Sequence, residues 1–437
     1  MTTSYNIKPN LFALLPIGIF LFLYLGLGIA FEYVLKIPMG FYKIPIIVVF
    51  LIALFFACLQ NRKINFNEKL QVMAHGIGDF NIISMILIFL LAGIFAGIVG
   101  RTSATSVAYC LLSTFPSQFA VMILFAVSCF VSISMGTSLG TVALITPIAY
   151  SVADTSGFPV ALCIASVIGG AFFGDNLSVI SDTTIAVCNG QGCKMKDKFY
   201  ANLKIVFFAV VITLGLLWLI STRYNIDNTI THEYELINII PYLIVLLLSI
   251  IGLNVFIVLS IGIIIGSIIS VSTGIVPITD LLSQAGNGAN GMFETIIVVL
   301  LVSSISSLIE KNGGFVALLD LIQKHFKGKK MGQIGIALLV SLIDIATANN
   351  TVAIVVANPI AKEISKKYGI SSKRTASIID TFACITQGII PYGAQMLVAI
   401  SAVASLGGSI SAFDIISNLY YIYALLFVSV LYIIKGK

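Results

Sequence analysis

Residues 174–184 read Gly-Asp-Asn-Leu-Ser-Val-Ile-Ser-Asp-Thr-Thr, and this stretch decides how the chain can fold. It places Asp175 and Asp182 in a segment that is otherwise apolar enough to lie in a membrane. A carboxylate at the centre of a bilayer costs about 2.5–3.5 kcal/mol on insertion scales. A chain retains such a group mainly where it binds an ion, carries a proton or meets a partner. The stretch is therefore predicted to be a functional site.

The composition is that of a polytopic membrane protein. Of the 437 residues, 59% are hydrophobic and only 10% are charged, whereas a soluble domain carries about 25% charged residues. The apolar run 11–30 is not followed by a small-residue cleavage site, so it is predicted to be a first transmembrane helix rather than a secretory signal. We expect an all-α fold with about 10 full spans and two re-entrant hairpins.

Eight apolar runs are uninterrupted and long enough to span a bilayer: 11–31, 43–59, 80–99, 204–221, 237–253, 255–272, 293–309 and 413–433. Four further apolar stretches are interrupted by polar or glycine-rich groups: 118–153, 158–190, 331–361 and 375–408. Each interruption leaves backbone groups without helical partners, which hydrocarbon does not tolerate. The breaks are therefore predicted to be buried in protein or to line a polar cavity.

Loop charges predict the orientation, because cytoplasmic loops carry an excess of lysine and arginine. The segment 222–236 is acidic. Three other connections are basic: the first contains Lys194, Lys196, Lys198 and Lys204; the second contains Lys324, Lys327, Lys329 and Lys330; the third contains Lys362, Lys366, Lys367, Lys373 and Arg374. We expect the basic connections on the inner side of a bacterial cytoplasmic (inner) membrane, together with both termini.

The stretch 331–361 lies between two basic connections, so it must enter and leave the membrane on the same side. Its length of about 31 residues is too short for two spans of about 20 residues each and a turn. We therefore predict a re-entrant hairpin with its tip at 346–351. The same reasoning predicts a second hairpin, from the opposite side, at 118–153 with its tip at 136–141.

An internal repeat relates the two hairpins. The motif Thr-Pro-Ile-Ala around Pro147 recurs as Asn-Pro-Ile-Ala around Pro359, 212 positions later (359 − 147). At the tips, the repeat is expected to match Thr137 and Thr141 with Thr347 and Thr351. Inverted repeats with paired discontinuous helices are typical of secondary transporters, in which the site lies near the midplane of the membrane.

This repeat predicts four parts of the chain. Residues 1–79 form N-terminal helices and a cytoplasmic connection, and residues 222–292 form linking helices. The two inverted repeats occupy 80–221 and 293–437, each with one hairpin and one broken helix.

The first broken helix carries the predicted ion ligands. Asp175 and Asp182 supply negative charge, and the hydroxyls of Ser178, Ser181 and Thr183 supply oxygen. Hard cations prefer oxygen ligands, and a buried carboxylate without a counter-charge can take a proton instead. One site that holds either a cation or a proton is the simplest basis for exchange. The alternative is that the aspartates cap helix fragments or pair with Lys194 or Lys196.

The second half offers a matching set of polar groups. Asp380 is predicted to be a second ion or proton group, with a structural carboxylate near Lys373 and Arg374 as the alternative. The hairpin tip adds amide and hydroxyl oxygens at a break between half-helices, whose exposed ends can bind ions. Further ion- or proton-binding residues are predicted at Asn349, Asn350 and Thr351, with a sodium site at Asp175, Asn349 and Asn350. Contacts to a substrate are predicted at Thr137, Ser138, Thr347, Gln387 and Tyr392.

The pattern Gly-Asp-x-x-Ser-x-x-Ser-Asp-Thr-Thr at 174–184 resembles the signature of NhaC-type sodium/proton antiporters, a family of the ion transporter superfamily. The likeness extends from about residue 70 to 433. The resemblance implies exchange of sodium for protons, with an elevator-like or rocking movement of the core that bears the hairpins. It maps the ion ligands onto Asp175, Ser178, Ser181 and Asp182, with Asn349, Asn350 and Asp380 opposite them.

One departure from the family pattern concerns the substrate. Members often end the second broken helix with proline, tryptophan and asparagine, whereas residues 390–395 here read Ile-Pro-Tyr-Gly-Ala-Gln. The resemblance also covers members that move organic anions or amino acids. The alternative function is therefore a sodium- or proton-coupled carrier of a small organic anion or amino acid.

The sequence predicts a transporter rather than an enzyme, because it contains no nucleotide-binding loop, metalloprotease motif or hydrolase elbow. No cofactor is expected beyond the transported sodium and protons. The expected partners are the lipid bilayer and these ions, with a homodimer as one arrangement, and no nucleic acid.

Overall fold

A computed structural model describes residues 8–35, 43–178, 181–224 and 235–435. All regular secondary structure in these ranges is helical. Within these ranges, eight helical segments are long and apolar enough to cross a membrane. A ninth results if Thr102–Thr114 and Ser117–Ile133, which are bent by 117°, count as one span. The predicted all-α membrane fold is thereby confirmed. The figure of about 10 full spans stays a prediction, because three further apolar helices are shorter: Ile46–Leu59, Leu236–Leu248 and Tyr420–Lys435.

The first half contains α1 (Leu15–Leu21), α2 (Leu27–Ile29), α3 (Ile46–Leu59), α4 (Phe66–Ile77), α5 (Phe80–Thr114), α6 (Ala120–Met135), α7 (Ser138–Ser156), α8 (Val160–Leu177), α9 (Asp182–Gln191) and α10 (Met195–Ser221). Short 3-10 or π segments flank α1 and α2 and precede α6: Leu11–Leu14, Phe22–Gly26, Ala30–Val34 and Ser117–Phe119.

The second half contains α11 (Leu236–Ile250), α12 (Val255–Ser272), α13 (Leu281–Asn290), α14 (Phe293–Lys311), α15 (Gly314–His325), α16 (Lys329–Thr347), α17 (Asn350–Tyr368), α18 (Ser372–Ile389), α19 (Ala394–Ser405), α20 (Ala412–Ser417) and α21 (Tyr420–Lys435). The span predicted at 80–99 coincides with the apolar segment Phe80–Val99, and α5 continues beyond it as a helix to Thr114.

The four predicted interruptions all coincide with helix ends. The α6–α7 turn contains Gly136 with φ 68°, and the α16–α17 turn contains Ala348 with φ 47°. The broken helices are α8–α9 and α18–α19, each with a four-residue gap between its parts. Val179 and Ile180, within the first gap, lie outside the described residues. α16 alone has 19 residues and is apolar enough to cross a membrane, so the re-entrant character of the hairpins stays a prediction.

The helix bounds agree with the predicted period of 212 residues, and the repeat itself stays a prediction. α7 and α17 begin at residues 138 and 350 (350 − 138 = 212), and α8 and α18 begin at 160 and 372. α9 and α19 begin at 182 and 394. This register pairs Thr137 with Asn349 and Ser138 with Asn350, so the match of Thr137 with Thr347 was wrong by two positions. The opposite sense of the two halves in a membrane and the four-part division stay predictions.

The two halves are packed together by an exchange of elements. α7 packs against α19 of the other half, and α17 packs against α9. Likewise α4, which precedes α5, packs against α14, while α13, which precedes α14, packs against α5. These contacts bring both hairpin turns and both helix breaks to one region of the molecule.

Small residues permit the closest of these contacts. A Cβ atom on Gly288 of α13 would lie 2.1 Å from the carbonyl oxygen of Gly93 in α5. A Cβ atom on Gly76 of α4 would lie 1.8 Å from the hydroxyl oxygen of Ser307 in α14. Gly76 and Gly288 are themselves 212 positions apart (288 − 76). Helices in membranes approach in this way where small residues line the interface.

Candidate functional site

A cavity of about 280 Å³ lies where the two hairpin turns meet the two helix breaks. Eight predicted site residues line it: Thr137, Ser138, Asp175, Asp182, Asn349, Asn350, Thr351 and Gln387. The start of α5 contributes Asn81 and Ser84, and Asn254 precedes α12 at its wall. The structure therefore brings residues from both halves of the chain to one polar cavity.

Asp175 joins the two hairpins. It lies in the last turn of α8, and only 2% of it is exposed. Ser138 donates to this carboxylate twice, from its backbone nitrogen to Oδ1 (3.1 Å) and from its hydroxyl to Oδ2 (2.5 Å). Asn350 donates from Nδ2 to the same Oδ2 (3.4 Å). Ser138 and Asn350 are the first residues of α7 and α17, so the carboxylate lies at two helix N-termini, where negative charge is favoured.

The second carboxylate, Asp182, is the first residue of α9 and is exposed to the cavity. Its Oδ1 accepts a hydrogen bond from the backbone nitrogen of Thr183 (2.9 Å), and its Oδ2 accepts one from the hydroxyl of Thr351 (2.8 Å). Lys194 and Lys196, the alternative partners, are exposed at the start of α10. Asp182 thus links the first broken helix to the second hairpin.

A chain of amides continues from Ser138 across the cavity wall. Gln395 donates from Nε2 to the Ser138 hydroxyl (2.9 Å), and Gln387 donates from Nε2 to Gln395 Oε1 (2.9 Å). Gln387 also reaches the carbonyl of Ala348 in the second hairpin turn (3.1 Å). Gln387 is the repeat equivalent of Asp175 (387 − 175 = 212), so one half presents a carboxylate where the other presents an amide. Gln395 was not predicted to be a site residue. It is the second residue of α19, as Thr183 is the second residue of α9.

Three predicted hydroxyl ligands stabilise the first helix break instead of lining the cavity. Ser181 donates to the backbone carbonyl of Asp175 (3.2 Å) and accepts from the backbone nitrogen of Thr184 (3.2 Å). Ser178 donates to the carbonyl of Ile133 in α6 (2.8 Å). The hydroxyl of Thr183 lies 3.1 Å from that of Ser181. These contacts hold the ends of α8 and α9 that carry the two cavity carboxylates.

Asp380 does not line the cavity, because it forms a buried ion pair with Lys198. Asp380 Oδ2 lies 2.8 Å from Lys198 Nζ, and the two side chains are 0% and 1% exposed. Lys373 and Arg374 are therefore not its partners. Lys198 was counted among the lysines that flank a basic connection, but it lies on the buried face of α10 together with Asn202. The sequence did contain a signal for this buried pair, because Lys198 and Asn202 are polar residues four positions apart near the start of an apolar helix.

Two predicted substrate contacts lie behind the second hairpin tip, outside the cavity lining. The hydroxyl of Thr347 donates to the backbone carbonyl of Asn349 (3.2 Å). Tyr392 donates to the carbonyl of Ile345 (2.7 Å) and packs edge-on against Phe20, with ring centroids 4.7 Å apart. Both side chains stabilise the hairpin turn.

The cavity is acidic in its charged groups and otherwise neutral. Asp175 and Asp182 supply its carboxylates, and no lysine, arginine or histidine is among the described residues that line it. Carboxylate, amide and hydroxyl oxygens are the ligands that a hard cation prefers. The same carboxylates can bind protons when no cation is present.

The chain is similar to known membrane transporters. The model of the Na⁺/H⁺ antiporter family matches residues 14–222 and 207–437. The chain is 26% identical over 377 residues to a malate-2H⁺/Na⁺-lactate antiporter of Bacillus subtilis, covering 78% of this chain and 76% of the relative. It is 25% identical over 393 residues to the Na⁺/H⁺ antiporter NhaC of the same organism, covering 81% and 84%. An uncharacterised Na⁺/H⁺ antiporter of Haemophilus influenzae is 24% identical over 351 residues, covering 71% and 74%.

These matches extend over most of the chain and over most of each relative. They confirm the resemblance seen in residues 174–184, and the relatives named are transporters rather than enzymes. The chain is an integral, multi-pass membrane protein and belongs to the Na⁺/H⁺ antiporter family.

Proposed function

We propose that the protein exchanges sodium ions for protons across a bacterial cytoplasmic membrane by alternating access. The observation that carries this proposal is the charge of the cavity. Asp175 and Asp182 are opposed by no basic group among the described residues that line it. Such a cavity favours a cation or protons over an anion, because each uncompensated carboxylate repels negative charge.

Coupling follows from competition for the same oxygens. A sodium ion needs both carboxylates ionised, whereas protons neutralise them, so binding of one ion displaces the other. Asp175 contacts Ser138 of one hairpin and Asn350 of the other, and Asp182 contacts Thr351. Loading of either ion thus changes the hydrogen bonds that join both hairpins to the first broken helix. This connection is the basis on which we propose that occupancy controls the alternation.

The proposal is tested with purified protein in liposomes that contain a pH-sensitive dye, with the membrane potential clamped. A pulse of external sodium should make the lumen alkaline as protons leave, at a rate that saturates with sodium. Asp175→Asn should abolish this flux, and Glu363→Gln, which changes an exposed carboxylate, should retain it. Absence of sodium- or lithium-dependent proton flux in the unaltered protein throughout the neutral pH range would overturn the proposal.

A second candidate is a sodium- or proton-coupled carrier of a small organic anion. The cavity volume of about 280 Å³ is the observation that favours it, because one water molecule occupies about 30 Å³. Four helix N-termini also meet at the cavity, at Ser138, Asp182, Asn350 and Ala394, and such ends bind carboxylates. One relative is named as a malate-2H⁺/Na⁺-lactate antiporter.

The two candidates are separated by counterflow of labelled malate and lactate in the same liposomes. Sodium/proton exchange predicts that protons move when no organic acid is present and that labelled malate and lactate do not accumulate. An anion carrier predicts that label accumulates and that proton flux requires the acid.

We also propose that both termini and the basic connections lie in the cytoplasm. Lys194, Lys196 and Lys204 remain exposed in the first of these connections after Lys198 is excluded. A single cysteine at residue 196 should react with an impermeant thiol reagent only from the cytoplasmic side. A single cysteine at residue 280 should react only from the outer side. Labelling of both from the same side contradicts this topology.

A further inference from the structure

The buried ammonium group of Lys198 has the surroundings of a bound metal cation. Its Nζ donates to the backbone carbonyl of Asn176 (2.8 Å), the hydroxyl of Thr184 (2.7 Å) and Oδ2 of Asp380 (2.8 Å). One carbonyl, one hydroxyl and one carboxylate oxygen form the kind of ligand set that a hard cation takes. The carbonyl belongs to the last turn of α8, where helix carbonyls carry partial negative charge.

The site has more oxygen atoms than the ammonium group can satisfy. An ammonium group has three protons, and its three partners account for them. Oδ1 of Asp380 and Oδ1 of Asn202 are buried there without a hydrogen-bond partner in the described part of the chain. Asn202 itself donates from Nδ2 to both Asn176 O and Asp380 Oδ2, each at 2.9 Å. Buried oxygens without partners are rare in proteins, so these two atoms leave unused acceptor capacity on residues that already belong to the site.

The position of this site relates it to the cavity. Asn176 follows Asp175 directly, and Thr184 is two residues after Asp182. The ammonium group therefore joins α8 to α9 across the helix break that carries both cavity carboxylates. Through Asp380 it also joins this break to α18. A positive charge here holds three chain segments together just behind the cavity.

We propose that Lys198 is a tethered cation that occupies a second cation site, formed by Asn176, Thr184 and Asp380, and so positions the cavity carboxylates without consuming a free ion. The inference that this charge serves the cavity rests on the proposed exchange function. The existence of the second site does not. Lysine suits the role because its ammonium is a compact point charge with three donors on a flexible stem.

Removal of the tether should convert the site into one for a free cation. Lys198→Ala leaves the Asp380 carboxylate buried and unpaired, which is costly, and leaves space where the side chain was. The melting temperature of purified Lys198→Ala should therefore rise with sodium or lithium, at constant ionic strength with choline. We expect a rise at least about 3 °C greater than that of the unaltered protein. Lys198→Ser, which adds a hydroxyl ligand, should behave in the same way and replaces Lys198→Ala if the latter does not fold.

Two controls separate cation binding from general destabilisation. In the double variant Lys198→Ala/Asp380→Asn the buried charge is gone, so the added cation dependence should disappear. Lys69→Ala removes another buried lysine, whose Nζ donates to the carbonyls of Cys58 and Gln60. Because no carboxylate is left unpaired there, we expect destabilisation without cation dependence. An equal cation response in Lys69→Ala and Lys198→Ala, or no added response in either Lys198 variant, overturns the proposal.

The same measurement distinguishes this inference from the exchange function. The response of the unaltered protein to sodium reports the cavity, and Asp175→Asn should remove it. The added response of Lys198→Ala should persist in the Asp175→Asn background if the second site is independent. If the unaltered protein does not respond to sodium but Lys198→Ala does, the result contradicts the exchange proposal alone. The reverse result would contradict the tethered cation alone.

Discussion

Ser138 and Asn350 lie at equivalent positions of the two halves, 212 residues apart, and both donate to the same atom, Oδ2 of Asp175, over 2.5 and 3.4 Å. A single carboxylate therefore contacts the first residue of each hairpin's second helix. Its symmetry mate, Gln387, makes neither contact and donates instead to Gln395 and the Ala348 carbonyl. The two halves share one backbone arrangement, but the charge belongs to only one of them.

Asp182→Asn should reduce exchange at least about tenfold while leaving the protein folded. The amide oxygen can still accept from the backbone nitrogen of Thr183, and the amide nitrogen can donate to the hydroxyl oxygen of Thr351. The amide can, however, neither carry a proton nor balance the charge of a cation. Initial rates of sodium-driven proton flux in liposomes measure the effect, and the melting temperature in detergent verifies folding. Glu363→Gln serves as the control for loss of an exposed carboxylate. Normal exchange by Asp182→Asn would exclude this residue from the site.

The apparent KM for sodium should depend on pH with a definite sign. At acid pH the cavity carboxylates hold protons that sodium must displace, so the KM is high. As the pH rises, the KM falls by up to about tenfold per pH unit for each proton that sodium must displace, and so by up to about a hundredfold per unit where both carboxylates are protonated. Once both carboxylates are ionised, the KM becomes constant. Proton flux at graded sodium concentrations over a pH series measures this trend. A KM that is constant while only the maximal rate changes would show that protons and sodium do not share the site.

The hairpin turns provide a matched pair of backbone tests. Gly136 and Ala348 are equivalent residues, and both have positive φ, at 68° and 47°. A residue with a Cβ pays about 1–2 kcal/mol in this left-handed region, so Gly136→Ala should destabilise the protein by about that amount. Ala348→Gly removes the same strain but gains unfolded-state entropy, so it should be neutral or stabilise by up to about 1 kcal/mol. Denaturant unfolding in detergent compares the two. Equal destabilisation by both substitutions would contradict this account.

The exchanged helix contact between α13 and α5 is tested by two glycines of α13. A Cβ on Gly288 would lie 2.1 Å from the backbone oxygen of Gly93, which cannot move aside as a flexible side chain could. A Cβ on Gly286 would have no atom within 4 Å. Gly288→Ala should therefore destabilise the protein by about 1–3 kcal/mol, whereas Gly286→Ala should not. Similar melting temperatures for the two variants would show that the α13–α5 contact is looser than described.

Much of this architecture was predictable because its causes are local. Some sequence features raise the free energy of their own segment in a membrane, whatever surrounds it. Examples are a carboxylate in an apolar segment, a proline inside a helix and a polar run between two apolar runs. The breaks near Asp175 and Gln387 and the period between Pro147 and Pro359 followed from such features. The extension of α5 to Thr114 did not, because its polar second half offered no apolar signal.

The amino-acid sequence was sufficient to predict the membrane class, the four helix interruptions and the two carboxylates of the cavity. Which polar groups share a site depends on how the helices pack in three dimensions. Asp380 resembled an ion ligand by its setting in the chain, yet Lys198 of a distant helix neutralises it. Gln395 reaches Ser138 across the boundary between the halves. A charge in a membrane must find a partner, but the partner is chosen by helix packing, which no single segment encodes.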